Sequence, residues 1–83
     1  MSVLKYIDTI PLGYSEGIYE TQKYGITKSI FNNGKSIKIY AEELGATNFI
    51  SLNYYITSKK DLIKPCEMSK QKVIHFLKNV TLI

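Results

Sequence analysis

The chain has no arginine and no tryptophan, one cysteine, one histidine and two prolines among 83 residues. Each shortage excludes something. A lone cysteine cannot form an internal disulfide, so the fold does not depend on an oxidising compartment. One histidine, one cysteine and scattered carboxylates give no recognised ligand spacing, so no metal or cofactor is expected. No apolar run approaches the roughly 20 residues of a membrane helix. Met1–Ile10 holds one lysine, no long apolar core and no small-residue cleavage site, so no secretory leader is expected. The cytoplasm is the expected compartment, with no membrane partner.

The basic balance is weaker evidence than its size suggests. The net charge is +4, but all eleven basic residues are lysine. Lysine lacks the planar fork with which arginine reads guanine and phosphate. Lys, Ile, Asn and Tyr supply 35 of the 83 residues, and all four have A/T-rich codons. Nucleic acid is therefore a partner that the arginine content does not support.

What is present is strand periodicity. Eighty-three residues imply a single α+β domain spanning 1–83, with a thin core. Ser2 can cap a short first helix carrying Val3, Leu4, Ile7 and Ile10 on one stripe, ended by Pro11. From Gly17 the period falls to two, and "GIYETQ" and "YGITKSIFN" read as strands. Asn33-Gly34 is a strong hairpin signal, because both residues tolerate the positive φ of a type I′ turn. With those two as the loop, Ile30 pairs with Ile37, Lys28 with Ile39, and Ile26 with Ala41 on the core face. Phe31 pairs with Ser36, Ser29 with Lys38, and Thr27 with Tyr40 on the other face.

"AEELGATN" interrupts the alternation and reads as a helical turn or a wide loop. "NFISLNYYIT" resumes it, with Ile50, Leu52, Tyr54 and Ile56 inward. "LIKPCE" is a short last strand, and Pro65, which cannot donate to a ladder, lies at an edge or at the strand's end. Ser69 caps a second helix bearing Val73, Ile74, Leu77 and Val80. The expected fold is a two-layer α+β domain: an antiparallel meander of about five strands flanked by an N-terminal and a C-terminal helix, α-β-β-β-β-β-α.

Candidates for chemistry are few. Cys66 has Lys64 nearby and a helix start behind it, which favour a thiolate, but adjacent Glu67 opposes one and no second cysteine can resolve a sulfenic acid. It reads as a small buried side chain between strand and helix. His75, the one available base, falls on the solvent side of its helix. Glu42 and Glu43 point to opposite faces on a strand, so they cannot act as an acid–base pair. Phe31, Lys38, Tyr40, Phe49 and Tyr55 lie on the face that the two helices leave bare. Aromatics there, with lysine among them, suit a homodimer, a protein partner or stacked bases.

The stretches "GYSEG", "YGIT", "YAEELGATNFISLN" and "KPCEM" resemble a short uncharacterised bacterial family. Some of its members carry a peptide methionine sulfoxide reductase label. That resemblance implies Cys66 as the sole nucleophile, resolved by an external thiol. The Gly-Cys-Phe-Trp signature of one reductase class is absent, as are the paired Cys-x-x-Cys sites and C-terminal cysteine motif of the other. Four strands followed by a helix also resemble small single-strand-binding coactivator domains, an analogy of fold alone. The leading expectation is a binding domain that uses its exposed sheet face. The alternatives are a Cys66 reductase and a single-strand nucleic-acid binder.

Overall fold

A computed structural model describes residues 3–83. The order is α1 (Leu4–Asp8), β1 (Gly13–Tyr19), β2 (Gln22–Phe31), β3 (Ser36–Glu43), β4 (Phe49–Ile56), β5 (Asp61–Pro65), α2 (Lys70–Asn79) and β6 (Thr81–Leu82). The fold is α+β: one antiparallel sheet of six strands, ordered β5-β4-β3-β2-β1-β6, with both helices against one face. The meander from β1 to β5 follows from short connections. The sixth strand, which the sequence reading lacks, returns the C-terminus to the free edge of β1, pairing Gly17 with Leu82 and Ile18 with Thr81. Gly17 permits this. A Cβ there would lie 2.9 Å from Val80 Cγ2 and 3.0 Å from the Thr81 carbonyl oxygen.

The β2–β3 register is the expected one at all six pairs named from the sequence. Asn33 and Gly34 do occupy the centre of the turn, with φ of 56° and 89°. Asn32 is also left-handed, at φ 55°. The ladder therefore closes at Phe31–Ser36, and Lys35 N–H donates to the Asn32 carbonyl across a four-residue loop (3.1 Å). The Lys35 carbonyl accepts from Ile56 N–H of β4 (2.8 Å), which ties the end of this loop to the neighbouring strand.

Two expectations need correction. "GIYETQ" is not one strand. It is the end of β1, a two-residue turn at Glu20-Thr21, and the start of β2, with Tyr19 pairing Gln22. Both turn residues have positive φ, 50° and 67°, which neither residue type favours. "AEELGATN" is neither a helical turn nor a wide loop throughout. β3 runs on to Glu43, because Gly25 and Tyr24 of β2 continue the ladder opposite Glu42 and Glu43. Pairing overrides the local helical preference of Ala-Glu-Glu. A tight turn follows, with Gly45 at φ 90° and Glu43 N–H donating to the Asn48 carbonyl.

The core lies between the sheet and the helices. Ile26, Ile39, Ala41, Ile50 and Leu52 of the sheet meet Ile7, Ile10, Val73, Phe76 and Leu77. Phe76, fully buried against Tyr19 and Tyr24, is the largest enclosed side chain. It is absent from the expected stripe, and its burial is worth about 1.5–3 kcal/mol. Ile30 points to the core side, yet the helices do not reach the hairpin tip and it stays exposed. The Ser69 cap forms as expected, its hydroxyl accepting from Lys72 N–H (3.1 Å). The capping role given to Ser2 lies outside the described residues.

Lys28 is the charged residue on the core face. Its pairing with Ile39 puts it on the buried face, where only 7% of its surface is exposed. An ammonium there requires acceptors. It finds the carbonyls of Ile7 (3.0 Å) and Ile10 (2.9 Å), at the end of α1. A cation is well placed against the carbonyls of a helix C-terminus. Lys28 thus pins the short α1 to the sheet.

Candidate functional site: the open face of the sheet

With both helices on one side, strand alternation decides what the other side presents. Successive registers align it into four rows across the strands. One row is Tyr14, Thr27, Tyr40 and Ser51. Towards the hairpin tip comes Ser29, Lys38, Asn53 and Lys64, then Phe31, Ser36, Tyr55 and Leu62. On the other side lies Glu16, Gly25, Glu42 and Phe49. All five residues expected on the bare face are on it.

Their exposure differs. Tyr14 is 62% exposed, Phe31 53%, Tyr40 39% and Tyr55 36%. Four large aromatics on one sheet face at these values need a reason, whereas single exposed apolar side chains do not. Phe49 is half-buried, contrary to expectation. Its ring lies 6.2 Å from that of Tyr40. Lys72 of α2 reaches round the sheet end, its Nζ 6.0 Å from the Phe49 ring centre and 3.0 Å from Asn48 Oδ1.

Tyr14 was not among the expected residues. The strand period is read only from Gly17, and the longer β1, from Gly13, puts Tyr14 beside Thr27. Its ring lies over Gly25, where a Cβ would stand 2.8 Å from the Tyr14 hydroxyl oxygen. That hydroxyl donates to Glu16 Oε2 (2.9 Å), and Glu16 Oε1 meets Lys23 Nζ at 3.3 Å. The hydrogen bond raises the Tyr14 pKa and, with help from Lys23, lowers that of Glu16. Glu16–Lys23 is the one ion pair among the described residues.

Cys66 also belongs to this side. It is half-buried rather than enclosed in the core. Its N–H donates to the Ser51 carbonyl (3.0 Å), and its Sγ accepts from Asn53 Nδ2 at 3.6 Å. His75 does not approach it. The His75 ring is exposed, as expected, but its Nδ1 meets the Tyr19 hydroxyl at 2.5 Å on the helix side. Tyr19 is on β1 and Cys66 follows β5, four strand spacings or about 19 Å across the sheet. Glu42 and Glu43 point to opposite faces, as a strand requires. Among the described residues, no group of three His, Cys, Asp or Glu side chains could hold a metal ion.

One concavity lies elsewhere, an open cleft of about 610 Å³ beside β5, lined by Tyr54, Lys60, Asp61, Lys70 and Ile74 among others. The Tyr54 hydroxyl donates to Asp61 there. No cysteine, serine, threonine or histidine is among the residues that line the cleft. Among the described residues no helix is long and apolar enough to cross a membrane.

No protein-family model, no curated protein and no solved structure matches the chain. The functional reading therefore rests on the residues themselves.

Proposed function

We propose that the protein is a non-enzymatic binding module whose contact surface is the open face of the sheet. One observation carries this reading. Tyr14, Phe31, Tyr40 and Tyr55 are exposed on a face that neither helix covers. Burying such rings supplies much of the affinity in protein contacts, since each brings large apolar area with few rotamers to fix.

The reductase reading that the family resemblance implies is less well served. Cys66 has no base at hydrogen-bond distance among the described residues, and Asn53 is its side-chain partner. Single-stranded nucleic acid would use the same face through Phe31, Lys38, Tyr40 and Tyr55. Against it, Glu16 and Glu42 stand in the row beside Tyr40, where a phosphate backbone would pass.

The test compares the wild type with Tyr40→Ser/Tyr55→Ser. The expected result is an unchanged far-ultraviolet spectrum and loss of whatever the wild type binds, be it a second copy or a host protein. Binding that survives in the double variant overturns the reading. So does turnover of methionine sulfoxide that disappears in Cys66→Ser. A salt-dependent affinity for oligonucleotides transfers the face to the nucleic-acid reading.

A further inference from the structure

We propose that the occupant of the open face is a second copy of this chain, related by a two-fold axis that runs across the strands along the tyrosine row. This rests on the binding-face reading above and adds the partner and its orientation.

On β3, Lys38, Tyr40 and Glu42 all point to the open face, at steps of two residues. Lys38 and Glu42 are therefore equally spaced from Tyr40, by about 7 Å each. Glu16 on the same face is already matched by Lys23, whereas Lys38 and Glu42 have no ion-pair partner among the described residues. On β3 one cation and one anion remain unmatched, symmetric about an aromatic ring; Lys64, at the β5 edge of the face, is a further cation without an ion-pair partner among the described residues.

Two copies packed face to face by a closed dyad have two simple arrangements. An axis parallel to the strands puts each residue of β3 over itself: Lys38 over Lys38, Glu42 over Glu42. Like charges so placed oppose association. An axis across the strands reverses the chain direction. Placed on the tyrosine row, it keeps Tyr40 over Tyr40 and sets Lys38 over the second copy's Glu42, twice by symmetry. Sheets packed this way lie about 10 Å apart, a gap that extended lysine and glutamate side chains span together. On the axis row Tyr14 and Tyr40 each face their own counterparts, and Thr27 and Ser51 beside them are short, so these rings meet no bulky polar side chains there.

The test is a charge swap read by sedimentation equilibrium of the full chain. Lys38→Glu and Glu42→Lys should each weaken self-association about tenfold or more, because each creates two like-charge pairs. The double variant Lys38→Glu/Glu42→Lys should restore it to within about threefold of wild type, since both cross-dyad pairs are rebuilt with signs exchanged. An axis along the strands gives no such recovery. If single reversals change nothing while Tyr40→Ser/Tyr55→Ser abolishes association, the face is right and this orientation is wrong. A wild type that sediments as a monomer at millimolar concentration overturns the second copy as occupant. Association that survives the tyrosine substitutions instead sinks the binding-face reading itself. Both charged positions are exposed, so a spectrum matching wild type confirms that each variant is folded.

Discussion

Replacing Thr21 by glycine should stabilise this protein. Glu20 and Thr21 form the two-residue loop between Tyr19 and Gln22, with φ of 50° and 67°. An L-residue held in the left-handed region costs roughly 1–2 kcal/mol, and a β-branched one sits at the upper end. Glycine removes that strain but loses about 0.5–1 kcal/mol more backbone freedom on folding. Thr21 is exposed, and no hydrogen bond of its side chain is lost. The balance is a gain of about 1 kcal/mol. For a domain of this size that raises Tm by about 4–8 °C. Thermal unfolding followed by circular dichroism reads it directly, with urea unfolding as the second measure. Thr21→Ala is the control: it keeps Cβ and should recover only the smaller part due to branching. A Tm for Thr21→Gly at or below wild type would refute the claim that this turn is strained.

The opposite result is expected at the other turn, where Gly34→Val should lower stability by about 1–2 kcal/mol. A Cβ at Gly34 meets nothing within 4 Å, so φ of 89° is the whole cause; an unchanged Tm would count against it. Cys66 in the native state should react with a disulfide reagent more slowly than in the unfolded chain, since it is partly covered; rapid native labelling at neutral pH would favour the thiol chemistry instead. Tyr14 should titrate above its ordinary value of 10.0 and Glu16 below its ordinary 4.5. Their mutual bond is therefore fully present between those two pH values, weakens as pH falls through the Glu16 value, and is lost as pH rises through that of Tyr14. Glu16→Gln should bring Tyr14 back down in an NMR titration, and no movement would mean that the bond is absent in solution.

The hairpin register was legible because two kinds of signal agree there. Asn33-Gly34 sets the turn, and apolar alternation on both sides sets the faces. The detail of that turn was not legible: Asn32 is also left-handed and widens the loop to four residues, which the Asn-Gly pair alone does not signal. The Glu20-Thr21 turn was hidden for the opposite reason: its residues disfavour the conformation that the Tyr19–Gln22 pairing imposes. β6 is two residues long and forms only where Gly17 leaves room, so no local pattern announces it. Lys28 was placed correctly on the core face by alternation. Its role needed α1 in position, since its partners are backbone carbonyls that carry no sequence signature. Strand alternation alone puts Phe31, Lys38, Tyr40, Phe49 and Tyr55 on the open face. Tyr14 was missed because the reading began β1 four residues late, and the partial cover over Phe49 because Lys72 comes from a helix on the other layer.

The division of the sheet into a covered and an open face follows from size. Six strands span about 24 Å across five spacings. Two helices about 10 Å wide cover some 20 Å of that, which is one face and no more. α1 has only five residues and depends on Lys28 to hold its place. Among the described residues there is no further helix to lay on the second face. A face meant only for water would carry side chains like Thr27, Ser29, Ser36 and Asn53 throughout. Here those positions alternate with Tyr14, Phe31, Tyr40 and Tyr55, which would weaken solubility without adding to the core. The rings make physical sense if something packs on them. On the proposed dimer a second copy would supply the missing layer without any further sequence: each chain would become the other's cover, and the thin two-layer domain would gain a third and a fourth layer at once.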